Sequence, residues 1–65
     1  MTEAEALQEA RRRWGENAYV RGQTGAVSRS FLVGIRDGVL FYVHGRGETW
    51  EEAFALADRN EKKRA

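Results

Sequence analysis

Few residues in this chain are of types that carry chemistry, and their spacing limits what each can do. His44 is the one histidine, and cysteine is absent. No serine or carboxylate is set beside His44 by sequence spacing, and general-base work needs such a partner within hydrogen-bond reach. Glu48, Glu51 and Glu52 cluster where a helix start attracts carboxylates in any case. Glycosidase-type use of that cluster would need a cleft that 65 residues can hardly enclose. Gly45-x-Gly47 has the form of an anion-binding loop, but the same three glutamates repel phosphate there. One imidazole and no thiolate leave only carboxylates as further ligands, so neither a metal nor a cofactor is expected. With no nucleophile–base pair, metal set or pocket volume in prospect, the chain reads as a non-enzyme.

The remaining reactive groups are cations. Nine of the 11 basic residues are arginine, whose planar fork suits carboxylate or phosphate. Ten acidic residues bring the formal charge to +1, a balance that selects no partner class. Their placement therefore matters more than their sum.

The elements that must position these groups are legible from local signals. Thr2 followed by Glu5 is a capping-box pattern. Leu7, Ala10 and Trp14 recur at helical spacing with Ala6 beside them, and Gly15 follows where a left-handed residue ends a helix. The spacing predicts a helix over 2–14, with Arg11, Arg12 and Arg13 against its C-terminal carbonyls. Residues 17–23 alternate as a short strand, and 28–36 with 39–45 read as a hairpin around Asp37-Gly38. A two-residue loop of Asp37-Gly38 would pair Arg36 with Val39 and set Phe31, Val33 and Ile35 beside Leu40, Tyr42 and His44. A three-residue loop, Arg36-Asp37-Gly38, pairs Ile35 with Val39 and gathers Phe31, Val33, Ile35, Val39, Phe41 and Val43 on one face, and is preferred because it segregates β-branched and phenyl groups. Gly45 and Gly47 are expected to break the third strand. Thr49 and Glu52 repeat the capping box, and Trp50, Ala53, Phe54 and Ala57 supply the stripe of a second helix running to about residue 62.

The order is α-β-β-β-α, in one domain covering 1–65. The simplest burial of both helical stripes is an α+β fold, a three-stranded antiparallel meander with both helices on the Phe31/Phe41 face. Trp14 and Trp50 then act as core lids. No run of about 18 apolar residues is present, no secretory signal is seen and cysteine is missing, which points to a cytoplasmic protein without membrane attachment.

Two surfaces follow from this arrangement. The open sheet face should show Tyr19, Arg21, Leu32, Leu40, Tyr42 and His44, a contiguous apolar and tyrosine-rich surface of the kind that marks interfaces. Both helices should point the same way, so their C-termini share an end with the hairpin. That end would gather Arg11, Arg12, Arg13, Arg36, Lys62, Lys63 and Arg64 into a basic pole able to contact phosphate, while helix dipoles explain much of the same charge.

The α-β-β-β-α order resembles the double-stranded RNA-binding domain, a family whose second helix opens with a lysine-rich, phosphate-gripping motif. The matching positions here are Thr49, Trp50, Glu51, Glu52 and Ala53, with two carboxylates where the family carries cations. The run from Gly45 to Ala57 also resembles the strand-to-helix junction of HicB-like antitoxins and of small phage and prophage proteins. The size and junction together imply a phage-type accessory protein. The expected function is a non-enzymatic binding module whose open sheet face contacts protein, by docking on a host protein or by self-association as a homodimer. Nucleic-acid binding through the basic pole is the alternative.

Overall fold

The computed structural model describes residues 1–25 and 27–64, with the side chains of 62–64 outside the described set. The elements are α1 (Glu3–Trp14), β1 (Ala18–Thr24), β2 (Arg29–Asp37), β3 (Leu40–Gly47) and α2 (Trp50–Arg64). Helix α1 begins where expected: Thr2 Oγ1 accepts from the Glu5 N–H, and the Glu5 carboxylate accepts from the Thr2 N–H. It ends at Gly15, whose φ of 87° is open to glycine at little cost and whose N–H reaches the Arg11 carbonyl at 2.8 Å. Helix α2 varies the same device. Thr49 Oγ1 accepts from Glu52 N–H at 3.1 Å, while the Glu52 carboxylate accepts from the N–H of Glu48 instead of Thr49.

The three strands form an antiparallel sheet in the order β1-β2-β3. Both helices lie on one face of it, as the sequence predicts, and they run parallel. The Met1 ammonium meets Glu51 near the helix starts, and Arg13 of α1 meets Asp58 of α2 nearer their ends. The core beneath them joins Ala6, Ala10, Ala18, Val20, Val33, Trp50, Ala53, Phe54 and Ala57. Five of these nine are alanine, and Val33 is the largest fully buried side chain. Small side chains let the helices ride close to the sheet, while Leu7, Trp14 and Phe31 pack around the margin. Trp14 and Trp50 are the lids that their positions predict.

The hairpin departs from the expected register. The turn closes on Gly38-Val39, pairing Asp37 with Leu40 and Ile35 with Tyr42. Gly38 has φ 62° and no residue other than glycine has positive φ among the described residues, which is the pattern of a two-residue II′ turn. Relative to Ile35–Val39 pairing, this is an odd shift, so it exchanges the faces of β3. Directly paired residues of antiparallel strands share a face. Phe31, Val33 and Ile35 lie under the helices as expected, but Phe41 and Val43 face away from them. Val39 sits in the turn, 96% exposed.

A bulge then restores glycine to the helix side. The register shifts at Val33/Gly34, leaving His44 as the extra residue between Val43, which pairs with Gly34, and Gly45, which pairs with Val33. The strand continues to Gly47 and does not break at Gly45. A Cβ at Gly45 would collide with the Ala53 carbonyl oxygen and stand 2.8 Å from the Ala57 nitrogen. The glycine is there because the α2 backbone lies directly on β3. No helix among the described residues is long and apolar enough to cross a membrane.

Candidate protein interface on the open sheet face

The register fixes what the uncovered face displays. Arg21, Leu32 and Arg46 form one row across the three strands. Tyr19, Gly34 and Val43 form the next, and Arg36 pairs with Phe41 beyond it. Gln23 and Ser30 close the far end. Leu32 on the central strand therefore lies diagonal to Tyr19 and Val43, Phe41 follows on β3, and Arg21, Arg46 and Arg36 flank this apolar group.

The aromatic pair spans the sheet. Tyr19 on β1 meets Phe41 on β3 edge to face, with ring centroids 5.1 Å apart. Gly34 lies between their strands at the bulge, where a Cβ would run into the Tyr42 carbonyl oxygen of β3. The Arg36 guanidinium carbon lies 5.3 Å from the Tyr19 ring centroid, a cation–π contact, and its Nε–H donates to the Gly38 carbonyl at 3.0 Å. These contacts hold Arg36 against the face. None of Arg21, Arg36 or Arg46 is in an ion pair among the described residues.

Of the residues expected on this face, Tyr19, Arg21 and Leu32 are there. Leu40, Tyr42 and His44 are not. Leu40 and Tyr42 share the helix side with Asp37 and Ile35 because of the turn, and His44 turns the same way because it is the bulged residue. The His44 ring stacks on Trp14 of α1 with centroids 5.1 Å apart, and its carbonyl accepts from Asn60 Nδ2 at 3.0 Å. Tyr42, His44, Trp14, Ile35, Asn60 and Glu61 line a groove at the helix C-terminal end. Across it, Trp14 Nε1–H donates to the Glu61 carboxylate at 2.7 Å. No group of histidine, aspartate and glutamate suited to a metal exists among the described residues.

The register also brings in three residues that the sequence reading left out: Phe41, Val43 and Arg46. A signal for them existed. Gly38 can take the first position of a II′ turn, which would have moved Phe41 and Val43 outward. The bulge is less legible, since Val39, Phe41, Val43, Gly45 and Gly47 are all odd-numbered and look like one uninterrupted face.

The basic pole is partly used within the fold. Arg12 donates from Nε and Nη2 to Glu9, and Arg13 bonds both Glu9 and Asp58 while lying 4.7 Å from the Phe54 ring centroid. Hydrogen bonds from Arg12, then Arg13, hold the Glu9 carboxyl below its ordinary range, and Glu9 in turn raises Arg12. Arg13 is thus a bridge between the helices. Arg11 is exposed, without an ion pair among the described residues. Arg36 belongs to the sheet face just described. The side chains of Lys62, Lys63 and Arg64 lie outside the described residues.

No family model, curated protein or solved structure matches the chain. The element order and antiparallel sheet are those of the double-stranded RNA-binding domain, a likeness of topology alone.

Proposed function

We propose that this chain is a non-enzymatic binding module that docks on another protein through its open sheet face. The observation that carries this reading is the anatomy of the face. An apolar centre of Leu32, Val43, Tyr19 and Phe41 is ringed by Arg21, Arg36 and Arg46, and protein interfaces combine an apolar core enriched in aromatics and arginine with a polar rim. Val43 is 50% exposed at a β-strand position that folding alone does not require to be apolar. The size of the chain and its strand-to-helix junction favour an accessory protein of the phage or prophage type as the setting.

A photocrosslinking amino acid placed at Val43, and separately at Gln8 on the outer surface of α1, tests the reading in cells expressing the chain. A discrete protein adduct should form from position 43 and not from position 8. Equal adducts from both positions, or adducts from position 8 alone, would move the working surface off the sheet.

Nucleic-acid binding through the helix C-terminal pole is less well supported, because Arg12 and Arg13 are bonded to Glu9 and Asp58. Phosphate contact there would have to displace those carboxylates.

A further inference from the structure

The open face carries a charge signature that the element order alone does not suggest. Its strand residues include three arginines and no aspartate or glutamate. Ten acidic residues are available in the chain, and Asp37 on β2 falls on the helix side by register. Resting on the docking proposal above, we infer that the partner is an acidic segment of another protein: an apolar anchor residue flanked by carboxylates.

The β3 edge supplies the matching geometry. Leu32 and Val43 on the open face, Gly45 and Arg46 at the edge, and Leu56 on α2 line one groove that wraps around the strand. An aliphatic or aromatic side chain entering between Leu32, Val43 and Leu56 meets apolar surface, and a carboxylate next to it in sequence lies at Arg46. Arg21 stands in the same cross-strand row as Arg46, about 10 Å away at two strand spacings, within reach of a second carboxylate on the same segment. Arginine's planar fork binds carboxylates in two parallel hydrogen bonds, which sets orientation as well as attraction. β3 is also an edge strand with one side unpaired, so an extended segment can lie along it.

Two other occupants fit less well. A second copy presenting the same face would set three guanidiniums against three more with no carboxylate on either side. A single-stranded nucleic acid would want free ring faces for stacking, yet Tyr19 is covered by Arg36 and abutted by Phe41. Leu32 and Val43 offer bases nothing that they offer an aliphatic side chain.

The test is selection of a displayed random peptide library on the intact immobilised chain, with an oligothymidylate strand titrated in parallel. Selected peptides should pair an aliphatic or aromatic residue with nearby Asp or Glu. Their binding should weaken as sodium chloride rises and fall roughly tenfold or more with Arg46→Glu. Circular dichroism of each variant confirms that it is folded. Neutral apolar peptides that lose binding with Val43→Asp but ignore Arg46→Glu would leave the docking face standing and sink the acidic partner. Peptides indifferent to both substitutions, or no enrichment at all, would remove the docking face as well. Tight oligothymidylate binding that depends on Arg21 and Arg46 would replace the acidic segment with nucleic acid.

Discussion

At the scale of single residues, this fold depends on side chains that are small or missing. Gly45 is the sharpest case, because α2 occupies the space that a Cβ would need. Gly45→Ala should cost about 1–3 kcal/mol, the usual range for forcing extra volume into a packed contact. Urea denaturation measures it, and a loss below a few tenths of a kcal/mol would mean that α2 does not sit on β3. The face assignment is open to a paired test. Val33 is fully buried and Val43 is half exposed. Val33→Ala should therefore destabilise by about 2 kcal/mol, and Val43→Ala by less than about 1 kcal/mol. The opposite ranking would restore the register in which Val43 lies under the helices. His44 illustrates how a reactive side chain can be structural: its place in the bulge sends the ring against Trp14.

At the scale of elements, α1 is the part most dependent on charge. The hydrogen bond from the Thr2 N–H, aided by the nearby Thr2 side chain, holds Glu5 below the ordinary glutamate range, and Arg12 with Arg13 does the same for Glu9. A carboxyl lowered in the folded state stabilises that state at neutral pH and ceases to do so as pH falls through its folded value. Stability should therefore drop as pH falls below about 4.3, the ordinary glutamate value. A Glu5→Gln, Glu9→Gln double variant should show a shallower acid slope than the parent between neutral pH and about pH 3. Parallel slopes in thermal melts would show that these two groups do not set the acid response. The hairpin shows the other side of element-level control, where one turn choice decides which surface β3 presents.

At the scale of the whole molecule, the two sides of one sheet differ in kind. The helix side holds a thin, alanine-rich core, and a chain this short has little further surface to bury. The other side keeps Leu32, Tyr19, Phe41 and Val43 together under three arginines. Like-charged faces should keep copies apart, so sedimentation over a dilution series is expected to give the mass of a monomer, 7.4 kDa, at moderate salt. A dimer that dissociates with Val43→Asp would instead show that two copies cover this face, and would overturn both the monomer expectation and the case for a different partner.

The five elements, their order and the side of β2 that enters the core could be read from the sequence, because capping boxes, helical stripes and strand alternation are local signals repeated over many residues. Phe31 and Val33 carried that information reliably. The face of β3 could not be read in the same way. It turned on whether Gly38 began or ended the turn and on one extra residue at His44, choices that differ little in local energy and reverse every side chain downstream. Only the tertiary structure decided them: the turn that begins at Gly38 sends Phe41 and Val43 outward, and the bulge at His44 returns Gly45 and Gly47 beneath α2, where no Cβ fits, and brings Arg46 into line with Arg21.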